Sequence, residues 1–260
     1  MSFTTGILLP TYSLWIRELI RFLRQRSRMI GVIGSPILFW FFIGSGLGSS
    51  FRMSSPNGNT SYLEYFFPGT LLLIMLFTAI FSTISIIEDR KEGFLQSVMV
   101  APISSIGIAL GKILGGTTLA VMQAIIFLAF APLIGFHFSI FGFFSLIVLL
   151  FMIAFGLTGL GFLIAWRMES SQGFHAIMNL FLIPLWLLSG SLFPMEGAPA
   201  WLRGAMAINP LTYSVSATRL MLYHQARIEH SGFFFSLCVI FVFCSFVVIG
   251  SMLSVRKKPQ

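Results

Sequence analysis

Charged residues are scarce in this chain, and acidic residues are the scarcest of them. Only 8 Asp and Glu and 16 Lys and Arg occur among 260 residues, and the mean hydropathy is +0.93. A soluble domain carries about 25% charged residues, whereas this chain carries 9%. The composition excludes an ordinary soluble protein. We therefore interpret the net charge of +8 as membrane orientation and contact with anionic headgroups rather than nucleic-acid binding.

The sequence also lacks the short motifs that would make it an enzyme. It has no Gly-x-x-x-x-Gly-Lys-Ser/Thr phosphate loop, so the chain cannot itself be an ATPase of that class. It has neither His-Glu-x-x-His nor a metal-binding cysteine pair, and its two cysteines, Cys238 and Cys244, lie on one apolar stretch. We predict no catalytic residue, no metal site and no cofactor bound by this chain.

Carboxylates are missing from the long apolar stretches, and this absence bears on transport. Secondary transporters that use protons or sodium usually place acidic residues inside the membrane. Here every Asp and Glu lies at the end of an apolar stretch or between two stretches. If the chain transports a solute, the energy is expected to come from a separate protein.

What the chain does have is five long stretches without Asp, Glu, Lys or Arg: residues 29–51, 65–87, 113–166, 170–195 and 230–255. A membrane helix needs about 20 apolar residues. The third stretch is twice that length and is interrupted near Pro132 and Gly135. The sequence therefore predicts an all-α membrane protein with six transmembrane helices, at about 29–51, 65–87, 113–134, 143–166, 171–193 and 232–255.

Orientation follows from the distribution of Lys and Arg. Twelve of them lie in the N-terminal segment, the segments after the second and fourth spans, and the C-terminus, whereas four lie on the opposite side. Since cytoplasmic segments carry the excess of positive charge, both termini are predicted in the cytoplasm.

The cytoplasmic N-terminus, residues 1–28, contains a regular series of arginines. Arg17, Arg21, Arg24 and Arg28 are spaced by four, three and four residues, which places them on one helical face opposite an apolar face. This pattern is typical of an amphipathic helix at the membrane interface. The alternative is that these arginines only enforce orientation.

Residues 88–112, between the second and third spans, form a long charged segment. A simple connection in a helix bundle needs about 2–8 residues. The segment contains both signs of charge and then apolar residues, and Ser104 or Ser105 is expected to begin the next helix. We predict short helices there that dock a partner.

Two further segments are candidate functional sites. In the fifth span, Gln172, His175 and Asn179 share one helical face, which is either a polar path or a structural hydrogen-bond network. Residues 194–228 are too apolar for a free loop and too interrupted by proline for a span. We predict re-entrant helices in the outer leaflet, covered by protein.

Taken in order, these features resemble the membrane domain of type-2 ABC exporters, a family that includes drug, lipid-linked polysaccharide and nodulation-factor exporters. The resemblance covers nearly the whole chain. It lies in residues 16–28, Phe67-Pro68-Gly69, residues 88–93 followed by Val100-Ala101-Pro102, Ser189-Gly190 with Phe193-Pro194, and residues 209–213 with Arg219.

The resemblance implies a bacterial inner-membrane permease that works as a pair, expected here to be a homodimer, with two copies of an ATPase that binds ATP and Mg. It implies translocation between the two permeases. It assigns ATPase coupling to the segment after the second span and an outer gate to the segment after the fifth. The coupling residues expected are Glu88, Asp89, Arg90, Glu92, Phe94, Leu95, Val98 and Pro102, and the gate residues are Phe193, Pro194, Trp201, Asn209, Pro210, Tyr213 and Arg219.

The expected substrate rests on aromatic composition. The chain has 30 Phe but only 5 Tyr and 5 Trp, and an apolar aromatic wall favours an amphipathic drug-like or lipid-like substrate. The alternatives are a polysaccharide or lipid-linked glycan exporter, a membrane-integral enzyme that uses His175 and its neighbours, and a structural membrane protein.

Overall fold

The computed structural model describes residues 3–24, 26–47, 53–55, 58–100, 103–223 and 231–256. In these residues the regular elements are helices, apart from one two-stranded antiparallel hairpin. The α-helices are α1 (Phe3–Arg24), α2 (Arg26–Leu47), α3 (Tyr62–Ser82), α4 (Ile84–Lys91), α5 (Phe94–Val100), α6 (Ser105–Leu128), α7 (Ile140–Arg167), α8 (Ser171–Leu187), α9 (Ala200–Ile208), α10 (Pro210–Tyr223) and α11 (Ser231–Arg256). The hairpin pairs β1 (Met53–Ser55) with β2 (Gly58–Thr60).

In the described part of the chain, four helical segments are long and apolar enough to cross a membrane: Tyr62–Lys91, Ser105–Leu128, Ile140–Arg167 and Gly232–Val255. The first comprises α3 and α4, which meet at a turn at Thr83. Of the other two predicted spans, α2 is 22 residues long and has an apolar part at Pro36–Gly46, and α8 is 17 residues long. Apart from the short hairpin, the described residues therefore form a helical membrane protein.

The helix α3 lies at the centre of the molecule. Buried residues make up 89% of the most apolar part of Tyr62–Lys91, which is formed by α3 and α4, against 28% for α11, which lies at the edge. Phe66, Phe67, Leu71 and Ile74 are fully buried and pack in the main apolar core. Because α3 is central, the two groups of functional residues described below lie near its two ends. One is a group of charged residues at the α4 end, and the other lies where α8 ends.

Single local groups set two of the helix boundaries. The third span begins at Ser105, since the Ser104 hydroxyl caps it by accepting from the Ile106 amide at 3.2 Å, as expected. The fifth span ends at Leu187, before Gly190 turns the chain with φ +79. At the N-terminus, the predicted helix is described over Phe3–Arg24, Gln25 lies outside the described residues, and Arg28 lies in the helical segment that follows.

The helix α1 packs along α6 through a row of glycines. Ideal Cβ atoms built on Gly107, Gly111 and Gly115 would meet Ile7, Leu14 and Glu18 of α1, respectively. The contacts advance along both helices together, so α1 runs in the same direction as the first half of α6. Side chains at Gly107, Gly111 and Gly115 would keep the two backbones apart. The sequence analysis did not anticipate this contact.

Gly111→Ala is expected to loosen α1 and to lower the apparent free energy of unfolding by about 1–3 kcal/mol, the usual cost of overpacking. The added methyl would lie 2.7 Å from Leu14 Cβ and 2.9 Å from the Thr11 carbonyl oxygen. Gly204→Ala in α9 is the matched control, because no atom lies within 4 Å of its new Cβ. Thermal unfolding in one detergent compares them, and equal midpoints would contradict the proposed role of Gly111.

Candidate functional site

A buried group of charged side chains lies where α1, α4 and α6 meet, and we call it the ionic cluster. It comprises Glu18, Lys112, Asp89, Arg17, Arg21 and Glu88. The Lys112 ammonium is at its centre: it donates to the carboxylates of Glu18 and Asp89, and to the Ser85 hydroxyl at 3.2 Å. Glu18 belongs to α1, Asp89 and Ser85 belong to α4, and Lys112 itself belongs to α6, so the cluster joins three helices.

Two arginines of α1 close the cluster from the side of α4. Arg17 binds Asp89 with both terminal nitrogens, each at 2.7 Å. Arg21 donates to Asp89 and to Glu88, each at 2.8 Å. The hydrogen bond to Asp89 raises the pKa of the Arg17 guanidinium above its ordinary value. These bonds tie α1 to the start of the segment predicted to dock a partner.

Burial makes the cluster energetically important. The side chains of Asp89, Lys112 and Glu18 are 0%, 2% and 6% exposed. A charge removed from water must be paired, and removing one partner costs far more than the pair itself contributes. The cluster holds three cations and three anions, so its charges balance as long as all six side chains are present.

The other coupling candidates lie beside the ionic cluster. The Phe94 ring lies under the Arg17 guanidinium, 3.8 Å from its centroid. Glu92 is on the rim, 3.8 Å from Arg21. Arg90 points elsewhere: it donates to the carbonyls of Met168 and Trp166, which fixes α4 against the end of α7. Pro102 lies outside the described residues.

The helix α5 presents a different face from the one expected. Leu95 is 3% exposed and packs in the core, so it anchors α5 to its own chain and cannot contact a partner here. Val98 and Met99 are half-buried against the same core. Val100, absent from the predicted site, is 88% exposed. Periodicity alone could not show which side of so short a helix faces the bundle.

At the opposite end of α3, side-chain donors cover the carbonyls left open where α8 ends. Asn209 donates to the Leu185 carbonyl at 2.6 Å and accepts from the Leu211 amide at 3.0 Å. Arg219 and Tyr65 both donate to the Gly190 carbonyl, at 3.1 and 3.0 Å. Broken backbone at membrane depth requires such partners. Asn209 and Arg219 thus both donate to carbonyls at the end of α8 or just after it.

The remaining gate candidates lie around these carbonyl caps. Phe193 and Pro194 are half-buried in the connection after α8, and Pro210 is the first residue of α10, where proline is favoured. The Tyr213 hydroxyl donates to the Ala207 carbonyl at 2.8 Å and so joins α10 to α9. Trp201 is exposed on α9. These residues form the surface of the region rather than its hydrogen-bonded centre.

Gln172, His175 and Asn179 lie on a face of α8 that is exposed in the single chain. The His175 ring packs against Phe81 with 4.8 Å between centroids. Among the described residues, no group of three His, Cys, Asp or Glu side chains could hold a metal ion. The arrangement therefore offers a polar surface on an apolar helix, which suits contact with a substrate or with another chain.

The sequence analysis missed two central residues of the ionic cluster. Glu18 lies inside the arginine series and was not selected, and Lys112 was counted only for orientation. A signal was present, because Lys112 lies about two turns after the Ser104 cap and leads into an apolar run. A lysine so placed needs a buried acid, and Glu18 and Asp89 were available to supply it.

Comparison with known proteins places these features in a wider context. The family profile described as "ABC-2 type transporter" matches residues 10–223. The transport permease ycf38 of Cyanophora paradoxa is 28% identical over 223 residues, covering 84% of this chain and 76% of its own length. The multidrug ABC transporter permease YbhR of Escherichia coli (strain K12) is 28% identical over 183 residues, covering 66% and 47%. Nodulation protein J of Rhizobium leguminosarum bv. trifolii is 26% identical over 241 residues, covering 88% and 87%.

Proposed function

Because this chain belongs to the ABC-2 type transporter family and is a transport permease rather than an enzyme, we propose that it forms the membrane path of an ATP-driven exporter. A separate ATPase subunit, present in two copies, supplies the energy and binds ATP and Mg. The permease is a homodimer in the bacterial inner membrane. The substrate is an amphipathic drug-like or lipid-like molecule that moves outward.

The proposed topology has six spans, with α2 and α8 joining the four long apolar segments. The 22 residues of α2 extend about 33 Å and the 17 residues of α8 about 25 Å. The chain after α8 continues through Gly190 with its carbonyls capped, which lets it remain in the outer leaflet. Six spans place both termini in the cytoplasm, together with the ionic cluster.

One observation carries the coupling proposal: the ionic cluster joins α1, α4 and α6 and contacts Phe94 at the start of α5, the helix whose other end is exposed at Val100. A force applied to α5 by the ATPase would reach α1 and α6 through ion pairs whose side chains are held in place by hydrogen bonds. The apolar side of α1 faces outward from the bundle, since Tyr12, Ile20 and Leu23 are exposed. This supports a helix at the cytoplasmic membrane interface, as its sequence pattern indicated.

The outer gate is proposed to consist of α9 and α10, which re-enter the outer leaflet. The exposed face of α8 that carries Gln172, His175 and Asn179 is proposed to face the second permease and the translocation path. Polar groups there would meet the polar part of an amphipathic substrate, while the exposed Leu180 and Ile183 beside them on α8 would meet its apolar part.

A lipid-linked glycan is the second candidate substrate. It is favoured by the match to Nodulation protein J, which spans most of both chains. The match to a multidrug permease favours the first candidate, although it covers less than half of that protein. Transport assays with the two substrate classes in proteoliposomes decide between them.

Purification of the tagged chain in mild detergent tests the proposed function. We expect a P-loop ATPase to copurify, and the reconstituted complex to hydrolyse ATP faster when its substrate is present. A control purification uses the same tag on an unrelated membrane protein. Absence of any P-loop ATPase from the purified chain, with the fold intact, would contradict the exporter proposal.

A further inference from the structure

A cleft runs along α1 at the boundary between its arginines and its apolar face. Its lining residues are Ser13, Ile16, Arg17, Ile20, Arg21 and Arg24 of α1, with Glu92 after α4. It lies on the outside of the ionic cluster, where Arg17 and Arg21 show their outer edges. Neither the family match nor the coupling proposal assigns a ligand to this cleft.

The cleft exists because α1 has three faces rather than two. Leu14, Glu18 and Phe22 are buried, and Leu14 and Glu18 meet the glycines of α6. Arg17 and Arg21 point toward α4. The third face is apolar and exposed, and its members are Leu9, Tyr12, Ile20 and Leu23. An apolar strip therefore lies directly beside a row of guanidinium groups.

The charges leave room for an added anion. Arg17 and Arg21 are balanced by Asp89 and Glu88, but each guanidinium has five N–H donors and uses only some of them on these carboxylates. Arg24 is exposed, and within the described part of the chain the structure shows no carboxylate bound to it. Arginine suits phosphate because its donors match two phosphate oxygens at once.

We propose that this cleft binds the phosphate of an anionic phospholipid, whose acyl chains lie against Ile16 and Ile20. The inference rests on the proposed function in one respect, since that function places α1 at the cytoplasmic face of the membrane. The phosphate contacts Arg24 and the outer edges of Arg17 and Arg21, and the Ser13 hydroxyl offers a further donor. Glu92 opposes the anion from the opposite rim.

The test places the full chain in nanodiscs made from a mixture of phosphatidylglycerol and phosphatidylcholine. Nanodiscs made from phosphatidylcholine alone are the blank. Native mass spectrometry counts the phosphatidylglycerol that remains bound. Arg24→Gln is expected to reduce retention about tenfold, the equivalent of one charge-assisted hydrogen bond. Glu92→Gln is expected to increase it, because the opposing carboxylate is gone. Arg203→Gln, an exposed arginine on α9, is the matched control and should leave retention unchanged.

Three results would overturn the proposal. The first is equal retention by Arg24→Gln and the unchanged chain, with both proteins monodisperse. The second is displacement of phosphatidylglycerol by inorganic phosphate, which would assign the cleft to a soluble phosphate. The third is a loss of ATPase from Arg24→Gln with lipid retention unchanged, which would assign the cleft to the protein partner. Lipid retention needs no ATPase, so this inference and the proposed function can fail separately.

Discussion

Lys112→Met is expected to destabilise the chain by about 3–5 kcal/mol, the cost of leaving a buried charge without its partner. Within the described ionic cluster, Lys112 is the one cation that donates hydrogen bonds to both Glu18 and Asp89. Asp89 keeps Arg17 and Arg21 after the change, whereas Glu18 keeps only a longer contact of 3.6 Å with Arg17. Most of the lost stability should therefore arise from Glu18.

A double variant separates this explanation from a simple packing defect. Lys112→Met with Glu18→Gln removes the stranded carboxylate and should recover a large part of the lost stability. Lys91→Met is the control, because Lys91 is exposed at the end of α4. Thermal and denaturant unfolding in one detergent provide the comparison. If the double variant were as unstable as the sum of its single changes, coupling between Glu18 and Lys112 would be rejected.

The membrane helices could be predicted from the sequence because the cost of burying charge acts on every residue separately. Stretches without Asp, Glu, Lys or Arg located the four long apolar segments, although their ends moved by several residues. Those ends depend on single groups, such as the Ser104 hydroxyl that begins α6 and the left-handed Gly190 after α8. A sequence contains many serines and glycines that could end or begin a helix, and it does not show which of them do.

The ionic cluster shows what the sequence could not supply. The spacing of Arg17, Arg21 and Arg24 predicted one helical face, but the partners of that face lie about 70 residues later, at Glu88 and Asp89. Pairing over that distance depends on how α1 packs against α6, through glycines whose role only the three-dimensional contact reveals. The arginine face is thus bound to carboxylates of its own chain, and is not simply solvated.

The carbonyl caps after α8 also depend on residues that are distant in the sequence. Asn209 and Arg219 were predicted for the gate, yet Tyr65, from a helix far earlier in the chain, shares the Gly190 carbonyl with Arg219. A capping donor of this kind is selected by distance to an open carbonyl, and no periodic pattern records it. The sequence predicted that the open backbone groups of this region need hydrogen-bond partners from the protein. Which side chains provide those bonds can be seen only in the folded structure.

Val100→Asp is expected to release the ATPase from the permease while the permease itself stays folded. Val100 is 88% exposed at the end of α5, within the segment that the family resemblance assigns to ATPase coupling, and an apolar side chain there would supply the buried centre of such a contact. Loss of a central apolar contact costs about 2 kcal/mol or more in binding, and an unpaired carboxylate in its place adds a desolvation cost. We expect at least a thirtyfold weaker complex.

Two control variants are made in α5, one at the exposed Val100 and one at the buried Leu95. Val100→Thr keeps the shape of the side chain and should weaken the complex far less. Leu95→Asp places a charge in the core, so it should lower the folded yield of the permease before any ATPase is added. Copurified ATPase is measured by mass, and folding by circular dichroism and gel filtration. ATPase retention and substrate-stimulated hydrolysis unchanged in Val100→Asp would show that the partner docks elsewhere. The ionic cluster would then be a structural clamp with no part in transmitting force, because the force would enter the permease at another place.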